Sequence, residues 1–190
     1  STLDTTTFTF SGGTLAGTQA QSVQPVTVAA ASISGIDFGF NFDTIVNTND
    51  SGQGSLRQFI INSNQLTDIP NQGINTGKET SVFMIPDGTA YAGTGAHGAL
   101  DLSTSGLFTI NPVSALDRIT DAQTAIDGST QNSAQCDPDS GRVLKITLDG
   151  TGLSGTESGL TIQNSGYLIQ GLTVGNFPAN GLAINSGAND

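Results

Sequence analysis

Apolar and polar residues alternate in short runs along most of this chain. Near its end the alternation repeats: Gly-Leu-Thr-Ile at 159–162 returns as Gly-Leu-Ala-Ile at 181–184, about 22 residues later. That spacing would put Leu160 over Leu182, Ile162 over Ile184 and polar Asn164 over Ser186. Two further strand-like runs, 167–170 and 172–174, lie between. Three short strands per fixed period is the pattern of stacked coils rather than of a closed globule.

The pattern continues upstream. Strands are predicted at 82–85, 107–110, 124–126 and 143–148. Asp127-Gly128 and Asp149-Gly150 are also about 22 residues apart and follow similar strands. The spacing therefore predicts that the period extends back at least one turn, with Asp127 stacked on Asp149. The register of Ile146, against Leu168 or Ile169, stays open by one residue. Residues 87–104 read as a Gly/Ala-rich insertion and 131–141 as a loop.

The first 42 residues form a separate block. Residues 5–10 (TTTFTF) alternate strictly, with Phe8 and Phe10 on one face. Val23, Val26 and Val28 mark a second run, interrupted by Pro25. Residues 33–42 (ISGIDFGFNF) place Ile36, Phe38, Phe40 and Phe42 on a shared face. Three strands in so short a block are too few for an independent sandwich. The block must pack on the rest of the chain or complete a sheet in another molecule.

One helix stands out. After the turn cluster 47–54 (NTNDSGQG), Ser55-Leu-Arg-Gln58 fits a capping box. Leu56, Phe59, Ile60 and Leu66 lie near one helical face, and the helix closes before Pro70. We expect two parts: an N-terminal strand segment, 1–42, and a right-handed parallel β-helix, 43–190. The β-helix would have three strands and about 22 residues per turn. Its inward Leu, Ile and Val would form ladders with a spacing of about 4.8 Å. The helix near 55–66 would plug its open end, with Phe59 and Leu66 over the first turn.

Composition narrows the partners. Glycine contributes 25 residues, which suits tight turns and disfavours helices. Acidic residues outnumber basic ones 16 to 5, for a net charge of −11. Nucleic acid and anionic membranes need a basic footprint and are poor partners for such a chain. No apolar run approaches a membrane span. Cys136 is alone, so no intrachain disulfide can form. No signal-like segment opens the chain, so an export signal would already have been removed.

Residues 45–58 (IVNTNDSGQGSLRQ) resemble the opening motif of secreted bacterial surface proteins with parallel β-helix repeats. Residues 83–88 (FMIPDG), 110–119 (INPVSALDRI), 125–131 (AIDGSTQ) and 160–184 resemble its downstream segments. Residues 36–42 (IDFGFNF) resemble the last strand of a prealbumin-like β-domain. The likeness covers roughly residue 36 onward. It implies an extracellular, cell-surface or biofilm-matrix protein and no defined reaction. Members are usually far longer, so this chain reads as a fragment or as a subunit whose open end meets a partner.

Candidate chemistry is sparse. A calcium-dependent lyase needs an acidic cluster beside an Arg or Lys base, and Asp137, Asp139, Arg142 and Lys145 come nearest. Turn chemistry explains Cys-Asp-Pro-Asp-Ser-Gly better. A hydrolase needs two carboxylates about 5–9 Å apart, and a stacked Asp127–Asp149 pair would supply them or bind Ca²⁺. Each precedes Gly, however, which marks a turn. His97, in Gly-Ala-His-Gly, reads as a surface histidine. Gly52-Gln-Gly54-Ser55 reads as a helix cap rather than an anion nest.

The expectation is a structural or interaction protein, not an enzyme, with no catalytic residue and no cofactor unless Ca²⁺ binds at those aspartates. Its partner would be itself, head to tail, or further β-helix repeats, with surface carbohydrate as another candidate. Phe8, Phe10, Phe38, Phe40, Leu182 and Ile184 are the assembly residues. The alternative is a carbohydrate-active or carbohydrate-binding β-helix module. Flat Thr, Ser and Asn ladders on the exposed face favour the first reading. A groove of converging Asp, Arg and aromatic side chains favours the second.

Overall fold

Leu182 pairs with Leu160 and Ile184 with Ile162 in a parallel ladder, as the repeat predicts. The computed structural model describes residues 8–10, 13–15, 43–66, 74–87, 106–136 and 141–185. Within them the protein is mostly short strands with one α-helix, and the larger sheets are parallel.

The first parallel sheet runs β3 (Thr44–Ile45), β4 (Glu79–Phe83), β6 (Thr124–Asp127) and β9 (Leu168–Gln170), in that spatial order. The second places β7 (Ile146–Asp149) between β5 (Phe108–Ile110) and β10 (Leu172–Gly175). The third pairs β8 (Leu160–Ile162) with β11 (Leu182–Ile184), and an isolated parallel bridge adds Ile119 beside Ile162. From β4 onward the chain visits first, second and third sheet in the same order on each pass.

Alternation along these strands sorts the side chains. Ile110, Ile146, Leu148, Leu160, Ile162, Ile126 and Phe83 are buried in one cluster, with Leu172, Val174 and Ile169 packed against it. Their outward neighbours are polar or half-exposed. A strand of three residues makes too few contacts to be stable alone. Stacking identical positions joins many such strands into one apolar column.

Two expectations about register are corrected. Asp127 does not stack on Asp149: it pairs with Val82 and Gln170 in the first sheet, whereas Asp149 pairs with Gly175 in the second. Ile146 pairs with Leu172, not with Leu168 or Ile169. The cause is loop length. Asp127 and its partner Gln170 are 43 residues apart, because residues 131–145 enlarge that pass. The short period holds only for the last pass.

Where β6 ends, side chains continue the ladder. The Phe83 amide donates to Thr130 Oγ1 at 2.8 Å. The Gln131 carboxamide accepts from the Ile85 amide at 2.9 Å and donates to the Ile85 carbonyl at 3.0 Å. Gln131 thus stands in for a strand residue beside a backbone that would otherwise be unpaired. At the corner between β9 and β10, Gly171 has φ +71, and a Cβ there would run into the Ser129 amide.

Helix α1 spans Leu56–Gln65, with Ser55 as its N-cap. Ser55 Oγ accepts from the Gln58 amide at 3.2 Å. The reciprocal arm of the box is not used: Gln58 Nε2 donates to Asn62 Oδ1 at 2.8 Å instead. Leu56, Phe59 and Ile60 are buried with Ile45 and Phe83, so the helix closes one end of the apolar column. Leu66 departs from expectation, lying past the helix and 39% exposed. Arg57 pins the start of α1. It pairs with Asp50 at 2.7 Å and donates to the carbonyls of Ser114 and Ala115. Near the other end, Asn64 accepts from the Thr120 amide at 2.8 Å and donates to the Arg118 carbonyl at 2.7 Å.

At the N-terminus, β1 (Phe8–Phe10) forms an antiparallel hairpin with β2 (Gly13–Leu15), Phe8 facing Leu15. The sequence reading left residues 5–10 without a near partner; β2 is that partner. Phe38, Phe40, Ser186 and the run around Val23 to Val28 lie outside the described residues.

The ladder itself supplies a test. Ile162 is fully buried between Ile119 and Ile184, whereas Ile184 is 55% exposed. Ile162→Ala should cost about 2–5 kcal/mol in denaturant unfolding, and Ile162→Asp should not fold. Ile184→Ala should cost less than about 1 kcal/mol. Equal losses at the two positions would show that Ile162 is not the inward member of its column.

Candidate functional site

The aspartates singled out by sequence are turn-formers. Asp127 ends β6 and caps the short 3-10 helix Gly128–Thr130; Asp149 ends β7 and caps Gly150–Gly152. In each case one carboxylate oxygen accepts from the backbone amide two residues on, at 2.9 Å for Ser129 and 3.0 Å for Thr151. The hydroxyl of that same residue donates to it as well. This is the Asx geometry that Asp-Gly-Ser/Thr favours.

Their surroundings differ. Asp127 is only 1% exposed. Its second oxygen accepts from Asn75 Nδ2 at 2.9 Å and Gln170 Nε2 at 2.8 Å. A buried carboxylate is tolerated here because neutral donors surround it. Asp149 is at the surface, where Asn176 Nδ2 donates to it at 3.0 Å. Bonds from the Thr151 hydroxyl, the Asn176 amide and the Thr151 backbone hold its carboxyl below the usual range.

The remaining lyase-type candidates do not converge among the described residues. Arg142 is exposed, and Lys145 is largely buried, its carbonyl accepting from the Phe108 amide at 2.9 Å. Asp137, Asp139 and His97 lie outside the described residues. No group of three or more His, Cys, Asp or Glu among the described residues is placed to hold a metal ion. Cys136 is a half-buried free thiol beside the Gly171 corner.

Two surfaces remain. On the outer face of the second sheet, Thr109, Thr147 and Thr173 stand in register as a hydroxyl ladder. Thr109 and Thr173 are exposed and Thr147 half-buried. The sequence held this ladder in its alternation, but only the pairing of 109 with 147 and 173 reveals it. The other surface is the end of the column opposite α1. There β9, β10 and β11 each have one edge without a strand partner among the described residues. Leu182 and Ile184 are exposed on it.

No protein-family model matches this chain, and no solved structure matches it. No helix among the described residues is long and apolar enough to cross a membrane.

Asp127→Ala should cost about 1–3 kcal/mol, because Asn75, Gln170 and Ser129 lose their acceptor together. Asp149→Ala should cost less. The acid limb of stability follows from Asp50 and Asp149. Burial alone would raise Asp50, but its bonds from Arg57 and the Val113 amide and the Arg57 charge outweigh it and lower the carboxyl. A lowered carboxyl stabilises the fold above the unfolded value, about 3.9 for Asp. That contribution is lost as pH falls through the folded value. Melting temperature against pH should therefore drop on the acid side, and Asp50→Asn should make the drop shallower. An unchanged acid limb in Asp50→Asn would exclude this ion pair as a source.

Proposed function

We propose that this chain is an extracellular structural or interaction protein of a bacterial cell surface or biofilm matrix. Its architecture in this reading is a right-handed parallel β-helix with three strands per turn, closed at one end by α1. The observation that carries the architecture is the repeated order of the three parallel sheets along the chain. The surface supports the functional reading over a carbohydrate-active one. The second sheet presents threonines in register, and the turn aspartates Asp127 and Asp149 are occupied by local donors.

Association would use the end that carries Leu182 and Ile184. Unpaired strand edges invite strand addition, and exposed aliphatics over a buried ladder offer the matching apolar contact. The partner in this reading is a second copy joined head to tail, which gives an open filament. The hairpin of β1 and β2 would serve as the joining element, replacing the single strand that the sequence suggested.

The test is sedimentation of the chain over a concentration series. Self-association should appear in the parent and be lost in the double variant Leu182→Lys, Ile184→Lys, with little change in melting temperature. A parent that stays monomeric, or a double variant that assembles unchanged, would remove the assembly reading. Incubation with polygalacturonate or alginate should release no product. Product release that disappears in Asp137→Ala or Arg142→Ala would establish the enzyme alternative instead.

A further inference from the structure

Glu79 is the first residue of β4, and it is only 4% exposed. Buried glutamates are rare without a partner that meets their charge or takes their proton. Register places Glu79 beside Thr124. Because Ser81, the next residue on its face, pairs with buried Ile126, the Glu79 side chain belongs to the inward column. Its hydrogen-bond partner is another carboxyl, that of Asp43, which immediately precedes β3. Two carboxyls can bond to each other only while a proton remains between them.

The pair also sits where α1 rests. The sheet order is β3, β4, β6. Helix α1 packs on β3 and reaches β6 through Ser63 Oγ, 3.0 Å from Thr124 Oγ1. It therefore bridges β4, the strand that carries Glu79. Ile45 and Phe83, on β3 and β4, lie in one buried cluster with Leu56, Phe59 and Ile60 of the helix.

The charged and titratable neighbours are distributed as follows. Asp121, before β6, is held by Thr124 Oγ1 at 3.0 Å and by Ser63 Oγ at 3.4 Å. Lys78 adjoins Glu79 in sequence, but its ammonium donates to Gln123 Oε1 and to the Gly166 carbonyl. Arg57 of α1 is committed to Asp50. Tyr167, one residue before Leu168, continues the Glu79–Thr124 column on the β9 side. The nearest placed ionisable group across the column is thus a further carboxylate, which would repel a second charge on the pair.

We propose that Asp43 and Glu79 form a proton-held latch beneath α1: one shared proton keeps the cap seated, and its loss loosens the helix from β3 and β4. Burial pushes the Asp43 carboxyl up, against the lowering effect of the Glu79 bond, in agreement with this placement. A raised carboxyl stabilises the fold fully below the unfolded value. That stabilisation is lost as pH rises through the folded value. The window therefore begins near the ordinary carboxylate value and extends upward, opposite in sign to the contribution of Asp50 and Asp149. Loosening α1 would uncover Ile45 and the free edge of β3, so that end of the column would become available only after deprotonation.

Hydrogen–deuterium exchange of the full chain between about pH 4 and pH 8 tests the latch, with rates divided by the intrinsic amide rate at each pH. The opening constant of the α1 amides should rise with pH by up to about tenfold per unit within the window. The amides of β7 and β8 should not follow. Asp43→Asn should flatten the α1 response, since an amide donates to Glu79 without a titrating proton. Glu79→Gln gives the same test from the other side should Asp43→Asn fail to fold. A flat response in the parent, a slope retained in the foldable variant, or a rise shared equally by β7 and β8 would each overturn the proposal.

Discussion

A parallel strand of three residues forms too few backbone hydrogen bonds to persist alone. Each strand here depends on being in register with the pass before it and the pass after it. Ile162 illustrates this: it is paired with Ile119 on one side and Ile184 on the other, and it is fully buried. Backbone pairing and apolar burial therefore act on the same residue. A slip of one position would turn Thr161 inward and Ile162 outward, losing both terms at once. The column is specified by alternation, and alternation is enforced by the ladder.

That arrangement shifts the difficulty to the corners and the ends. At corners the chain must change sheets within one or two residues. Gly171 does so between β9 and β10 with a positive φ, in a space where Ser129 leaves no room for a Cβ. Asp127 and Asp149 end their strands by capping a single turn of 3-10 helix. At the covered end α1 supplies apolar side chains to the column, and Arg57 and Asn64 fasten its two ends to residues 114–120. The helix is short, and isolated helices of this length are marginal in water. Its burial and these polar ties, rather than propensity, keep it in place.

Much of the fold was legible because its signals are local. Alternation found most strands, and Ser55 with Gln58 located the helix start. The register of Leu160 with Leu182 followed from a direct repeat. What failed depended on loop length. Asp127-Gly128 and Asp149-Gly150 looked like one position on successive turns, yet they are equivalent corners of adjacent sheets. The Asp-Gly-Ser/Thr signature reports how a strand ends, not which sheet it belongs to. Strand β3 is only two residues long and β2 begins with glycine, so neither carries a readable period. Glu79 was invisible for a different reason: a charged residue at a strand start reads as solvent-facing, and only pairing turns it inward.

The chemistry of the carboxylates then separates by environment rather than by sequence. Asp149 is at the surface, and local donors favour its ionised form. Asp127 is buried, but two side-chain amides, a hydroxyl and a backbone amide meet its oxygens. Asp43 and Glu79 meet each other instead. A carboxylate surrounded by donors stabilises a turn in its charged state, and one bonded to another carboxyl stabilises packing in its protonated state. A chain this acidic cannot neutralise every buried carboxylate with Lys or Arg, since it has 5 of them against 16 acidic residues. Neutral amides and a retained proton are the two remaining ways to bury such a group. The second makes the covered end of the column sensitive to pH, while the aliphatic ladder below it has no titrating group to respond.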